Sequence, residues 1–353
     1  MVEPITTLEE FEAEYRKGIG IEQDLNAERF LTEVTRDNIL NFCDAIGDNN
    51  PLWTNDDYAR RSRFGALTAP PAFLYNITHG SRLSNVGAIT RPIIGQALLY
   101  ASSEVEVFQP IGLGDRFTVT GKAVGLDRKT SKAVGPMLFP TCEASYFNQR
   151  GELVGVIRTT TLRYVAPKSQ AIEFERQPRP EVKAESPDVL AFERIRRGAV
   201  ARCWEDVQVG QEMEPLEKGV LTMTEIARFG ILCPPMLRRI EARREGVDLG
   251  FARETQQKAA GMENASDYGP QRICWLGQLV TDWMGDDGTL KKLTGQIRHP
   301  NIIGDVSVLK GRVAKKYVQN GEHLVDLEIR VENQSGLVTA PGTAVVSLPA
   351  RGR

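Results

Sequence analysis

The chain repeats itself, and that constrains its fold more than any single motif. FQPIGLGDRFTVTGKAV, from Phe108 to Val124, is echoed by RHPNIIGDVSVLKGRVA, from Arg298 to Ala314. Pro110 matches Pro300, Gly114-Asp115 matches Gly304-Asp305 and Gly121 matches Gly311, each pair 190 residues apart. Asn148-Gln149-Arg150-Gly151 recurs as Asn333-Gln334-Ser335-Gly336 at an offset of 185. VTRDNILNFCDAIG, from Val34, recurs as LTMTEIARFGILCP, from Leu221, at an offset of 187. Three matches in the same order with similar offsets point to a duplicated domain. The length of 353 residues fits two domains at roughly 150 residues each.

Each half follows one plan. A helix starts near Thr35, where Thr35 or Asp37 can cap the free N–H groups. Ile39, Leu40, Phe42, Cys43 and Ile46 give it an apolar face. An irregular stretch follows, then a second helix from about Ala72, then the strands LLYASSEVEVFQ, DRFTVTGKAVGL, MLFPTCEASYFN and LVGVIRTTTLRYV. Thr118, Thr120 and Lys122 alternate with Phe117, Val119 and Gly121, the period of a strand with one buried face. NQRG at 148–151 and its echo at 333–336 read as turns that need a glycine able to take positive φ. Helix first and antiparallel strands after, twice over, predicts an α+β fold. In the second half, RICWLGQLVTDWMG (Arg272 to Gly285) is apolar around much of its circumference, as a helix wrapped by a curved sheet must be. The expected layout is an N-terminal domain over 1–166, an exposed linker over 167–199 and a C-terminal domain over 200–353.

Composition removes several function classes. Lys plus Arg is 44 and Asp plus Glu is 46, a net charge of -2, so no nucleic-acid partner is expected. No run approaches the roughly 18 apolar residues of a membrane span, and the acidic N-terminal stretch lacks a signal-peptide core, so no membrane contact and a cytoplasmic location are expected. The five cysteines (Cys43, Cys142, Cys203, Cys233, Cys274) form no CxxC pair, and His79, His299 and His323 form no HExxH or HxH pattern. Neither a disulfide framework nor a metal site is expected. With no phosphate loop, no strand-linked GxGxxG and no GxSxG elbow, no cofactor is expected.

The most informative segment is AIGDNNPLWTNDDYARRSRFGALTAPPAF, Ala45 to Phe73. It resembles the hydratase motif of the MaoC-like, R-specific enoyl-CoA hydratase family. The later segments GDRFTVTGKAV, GDVSVLKGRVA and NQSGLVTAPGTAVVSLP resemble that family's sheet strands. The chain over about 30–166 and 200–350 is similar to the double hot-dog proteins called MaoC-like or FAS1-like dehydratases. The resemblance implies two tandem hot-dog domains, each a long helix wrapped by a curved antiparallel sheet. It also implies hydration or dehydration of an α,β-unsaturated or 3-hydroxy acyl thioester, an acyl-CoA or acyl-carrier substrate, and association as a homodimer or with another hot-dog chain. That reaction needs a base for water, an acid for the α-carbon and a donor to the enolate oxygen.

The family motif reads Gly-Asp-x-Asn-Pro-x-His. Here Gly47-Asp48 and Asn50-Pro51 fit it, but the histidine position is Trp53. An indole cannot exchange a proton near neutral pH. The family's Ala-His-Gly stretch, whose helix-terminal N–H polarises the thioester carbonyl, falls on Ala69-Pro70-Pro71. Pro71 has no N–H to give, which leaves Ala72 as the donor. The second half has no GDxNPxH string. The repeat offsets place Pro235 at the Asp48 position and Glu241 at the Trp53 position, and Asp267, Tyr268 and Gly269 lie just ahead of the second-half helix.

The candidate catalytic residues are therefore Asp48, Glu241, Asp267 and Tyr268. The candidate substrate-binding residues are Asn50, Trp53, Ala72, Gly269 and Arg272. Each has a plainer reading beside it. Asp48 can order its loop by accepting backbone N–H bonds. Trp53 can be a packing residue or tunnel wall. Glu241 sits among Arg238, Arg239, Arg243 and Arg244, a pattern common on solvated helix faces. Three functions stay open: a hydro-lyase whose carboxylates and tyrosine replace the missing histidine, a substrate-holding subunit whose dyad sits on another chain, and an acyl-thioester binder without turnover.

Overall fold

In a computed structural model of the chain, the described residues are 3–78, 91, 93–132, 134–165, 201–232 and 265–351. Glu241, Pro235 and the expected linker over 167–199 lie outside them.

In the first half, α1 (Leu8–Lys17) precedes β1 (Gln23–Asp24) and α2 (Arg36–Ile46). The Thr35 hydroxyl caps α2 by accepting the Asn38 N–H, and the helix stops at Gly47, whose φ of 66° only glycine adopts without strain. Short helices α3 (Pro51–Thr54) and α4 (Asp56–Arg61) follow, then β2 (Thr68–Ala69), a single 3-10 turn (Pro71–Phe73) and α5 (Leu74–Ile77). The strands are β3 (Ala97–Val107), β4 (Ile111–Gly112), β5 (Thr118–Ser131), β6 (Gly135–Phe147) and β7 (Leu153–Tyr164). The second half holds β8 (Leu216–Val220), α6 (Met223–Leu232), α7 (Gly269–Met284), β9 (Thr289–Gln296), β10 (Val306–Gln319), β11 (Glu322–Glu332) and β12 (Val338–Ser347).

Ten strands form one antiparallel sheet in the order β1-β5-β6-β7-β3-β9-β12-β11-β10-β8. The order reads the same from both edges once the repeat is applied. Its centre is the pairing of β3 with β9, from Ser102 opposite Gln296 to Glu106 opposite Lys292. The two halves therefore join edge to edge, which removes two unpaired strand edges from solvent. On the helical side of the seam, α2 packs on its counterpart α6, with Asp44 and Arg228 3.7 Å apart.

The repeat extends to individual hydrogen bonds. The Gly112 N–H donates to Asp115 Oδ2 at 2.8 Å, and the Ile302 N–H donates to Asp305 Oδ2 at 2.9 Å. Gln149 accepts from the Arg116 N–H and Gln334 from the Val306 N–H, both at 2.9 Å. Gly114 and Gly304 both have positive φ, at 80° and 91°, and so do Gly151 and Gly336, at 76° and 79°. Residues that recur in sequence thus recur in role, as matching turns.

The two central helices differ. α7 runs for sixteen residues and buries every position from Pro270 to Met284. It lies close on the sheet because two strand glycines face it. A Cβ at Gly295 would come within 2.5 Å of Ile273 Cδ1, and one at Gly342 would strike the Thr294 carbonyl oxygen. The matching helix of the first half, expected from Ala72, is described only as the 3-10 turn and the four-residue α5, after which Thr78 is extended. Pro70 and Pro71 start that turn without N–H groups to give. No helix among the described residues is long and apolar enough to cross a membrane.

Candidate functional site

The motif segment is held by its own polar atoms. The Asp48 N–H donates to the Cys43 carbonyl at 2.8 Å, and Asp48 Oδ1 accepts the Asn50 N–H at 3.0 Å. Asn50 Oδ1 in turn accepts the Leu52 N–H at 3.0 Å, so Asn50 caps α3 with Pro51 as its first residue. Asp48 and Asn50 are both buried, at 3% exposure. The second half supports this turn from below. Lys218 Nζ donates to the carbonyls of Ile46 at 2.8 Å and Gly47 at 3.3 Å and to Gln278, while Gln278 Nε2 also donates to Gly47 O at 3.0 Å. A cation at these carbonyls also complements the negative end of α2. Lys218→Met should cost about 1.5–3 kcal/mol, the usual value of hydrogen bonds to a charged group, read as a lowered unfolding midpoint.

Past this turn lies a cavity of about 380 Å³ between the two halves. The first half lines it with Asn50, Leu52 and Trp53 of the motif, Arg63 and Phe64, then Thr68, Ala69 and Pro71, and Val107 to Ile111. The second half closes it with Thr281, Met284, Asp286 and the start of β9. The walls are mostly apolar, and half-exposed Phe108 stands among them. Such a slot suits an acyl chain. Trp53 is 4% exposed, and its indole N–H has no hydrogen-bond partner among the described residues. The same holds for the Thr68 hydroxyl, in a residue 6% exposed. Ala72 is buried in the 3-10 turn behind Pro71, and Pro71 itself lines the cavity.

Asp286 and its neighbours were not singled out from sequence. Gly285 ends α7 with φ 74°, a backbone turn that favours glycine, and Asp286 follows. The Tyr58 hydroxyl of α4 donates to Asp286 Oδ2 at 2.6 Å. Arg63 donates to the Gly288 carbonyl at 2.7 Å and to Thr289 Oγ1 at 2.9 Å. Burial raises the Asp286 carboxyl above its ordinary range, Tyr58 and Arg63 pull it back, and Asp287 adds to the rise. Burial and the bonded carboxylate push the Tyr58 phenol up to about 12. The sequence signal was the pair Asp286-Asp287 between glycines, directly after the long helix RICWLGQLVTDWM.

The second-half candidates sit elsewhere, at the other end of α7. Asp267 Oδ2 and Arg272 Nε form an ion pair at 2.8 Å with side chains 0% and 2% exposed. Asn301 Nδ2 donates to the same carboxylate at 3.2 Å, and Arg272 donates to the carbonyls of His299 at 2.6 Å and Thr339 at 3.3 Å. Arg272 is thus occupied in tying the helix start to two strands. Tyr268 is the N-cap residue of α7 and packs on Phe229 with ring centroids 5.6 Å apart. Gly269 opens the helix beneath Tyr100 of the first half, where a Cβ would lie 2.5 Å from that ring. Tyr100 and Tyr75 have their hydroxyls 3.2 Å apart, and burial raises the phenol pKa of both. The fold thus brings Asn50 and Trp53 to one cavity with the unforeseen Asp286, and keeps Asp267, Tyr268, Gly269 and Arg272 apart from it. Among the described residues no group of three or more metal-ligating side chains comes together.

Comparison with known proteins agrees with this architecture. Residues 24–156 match the family profile described as FAS1-like, dehydratase domain region. A UPF0336 protein of Streptomyces griseus is 30% identical over 92 residues, 25% of this chain and 59% of that protein. A protein of Thermomonospora curvata named probable enoyl-CoA hydratase alpha subunit is 26% identical over 182 residues, 47% of this chain and 56% of its own length. The chain thus spans under two thirds of the length of these curated relatives. Among solved structures, a MaoC-like dehydratase superposes with a TM-score of 0.70 at 16% identity, covering 95% of this chain and 99% of the other. A Mycobacterium tuberculosis protein described as having a double hotdog fold superposes at 0.60 and 11% identity, over 94% of this chain and 96% of its own.

Proposed function

We propose, for a chain whose residues 24–156 match a FAS1-like dehydratase region and whose fold is that of the MaoC-like double hot-dog proteins, a hydro-lyase that adds water to an α,β-unsaturated acyl thioester or removes it from a 3-hydroxyacyl thioester. The substrate is an acyl-CoA. The observation that carries this reading is the apolar cavity of about 380 Å³ that opens on the motif residues Asn50 and Trp53 and is completed by the other half. The enoyl-CoA name of the Thermomonospora curvata relative supports the thioester. Asp48 and Asp267, each engaged in holding backbone or a neighbouring side chain, serve on this reading as scaffold, and Trp53 as cavity wall.

The test is incubation of the pure chain with short- and long-chain trans-2-enoyl-CoA and 3-hydroxyacyl-CoA compounds, followed by mass spectrometry for gain or loss of water. Water exchange on any of them supports the reading. A chain that neither binds nor converts any of them overturns it.

One observation favours a second reading. Trp53 stands where the family has its histidine, and the relative's name includes a subunit designation. A substrate-holding subunit would bind acyl-CoA without turnover and gain activity only when a hot-dog chain carrying the Asp and His is added.

A further inference from the structure

We infer that Asp286, carried into the junction cavity by the second half and hydrogen-bonded to Tyr58, is the catalytic residue that takes and returns the proton there. The inference rests on the hydro-lyase reading above and names the residue that performs it.

Elimination is the first support. Trp53 removes the histidine from the motif, and an indole does not exchange protons near neutral pH. Among the described residues lining the cavity, Arg63 and Asp286 alone have side chains that ionise, and a guanidinium stays protonated. Asp286 is therefore the one group among the described lining residues able to act as both base and acid. Polar satisfaction is the second. Buried polar atoms in folded proteins nearly always have partners, and each exception needs an explanation. Three exceptions among the described residues belong to the walls of this one cavity: Trp53 Nε1, Thr68 Oγ1 and Asp286 Oδ1. A donor, a hydroxyl and a carboxylate oxygen together match an oxygenated acyl group, with the thioester oxygen accepting and a water or 3-hydroxyl donating. Electrostatics is the third. Burial in the cavity wall raises the carboxyl above its ordinary range, which favours a group that takes up a proton.

The step balances with water as the sole co-reactant. The Asp286 carboxylate takes a proton from water as the water oxygen bonds to the β-carbon. The C=C electron pair passes to the thioester as an enolate, whose oxygen the Trp53 N–H and Thr68 O–H can meet. The enolate then takes the proton from Asp286 at its α-carbon. Dehydration is the reverse.

The experiment measures turnover of trans-2-butenoyl-CoA, its pH profile, and binding of the saturated butanoyl-CoA. Asp286→Asn keeps the shape and should lower kcat by about 10²–10⁴, the usual worth of a general acid–base group, while saturated-ligand binding persists. Tyr58→Phe removes a hydrogen bond that holds the carboxyl down, against Arg63 on the same side and Asp287 opposing. A base acts when deprotonated, so kcat/KM rises with pH through its pKa, and that rising limb should move to higher pH in Tyr58→Phe. If Asp286→Asn fails to fold, the limb in Tyr58→Phe decides. Full activity in Asp286→Asn, or an unmoved limb in Tyr58→Phe, overturns the inference and leaves the hydro-lyase reading standing. A wild-type chain that binds both thioesters without turnover also overturns it, in favour of the holding subunit.

Discussion

Asp267→Ala is expected to lower folding stability by about 3–5 kcal/mol, because it strands a charged guanidinium in the protein interior. Both side chains of the Asp267–Arg272 pair are essentially unexposed, and burial already works against the arginine's charge, with Asp267 as the main opposing influence. Removing the carboxylate also takes an acceptor from Asn301. The double variant Asp267→Ala, Arg272→Met should recover much of the loss, since the desolvated charge goes with its partner. Thermal or urea unfolding of the two single variants and the double gives the coupling between them. A single variant as stable as wild type would mean that the pair is not buried as described. The same variants test function. If Asp267 only anchors the helix start, the double variant keeps acyl-CoA binding and any turnover.

Leu276→Ala is the second large effect, at about 2–5 kcal/mol for a buried leucine truncated in a packed core. Leu276 is 0% exposed and reaches the sheet at two glycines, lying 3.2 Å from the Cβ position of Gly295 and 3.3 Å from that of Gly342. The glycines leave the helix no side chain with which to refill the void, so the cavity should stay open and the cost should sit in the upper part of that range. Denaturant unfolding reads it directly. A shift within 1 kcal/mol would mean that α7 is not clamped to the strands.

The fold was largely legible because a duplication repeats its turn chemistry in the sequence. Gly114-Asp115 and Gly304-Asp305 make the same strand approach, and Asn148 and Asn333 fold the same turn around a positive-φ glycine. Thr35 announced α2 for a local reason as well, since a cap bonds within three residues. The helix from Ala72 was less legible. Two prolines ahead of it mark a start but say nothing about length, and the described helical residues end at Ile77.

The candidate site was legible only where it is contiguous. Asn50 and Trp53 come to the cavity together because they lie three positions apart, as the cap and third residue of one short helix. Asp267 looked like an acid beside a helix start, and it is an acid beside a helix start. Its partner Arg272, one turn along, is what changes its meaning.

By itself the sequence determined that there are two like halves, where their turns fall, and that the motif lacks its histidine. Those facts are carried by neighbours in the chain, within reach of capping, turn and periodicity rules. Tertiary structure alone decided that β3 meets β9, that the end of α7 lines the cavity beside the first-half motif, and that Asp286 meets Tyr58 across 228 residues. Such pairs depend on the angle at which two packed halves close on each other, and no local pattern records it.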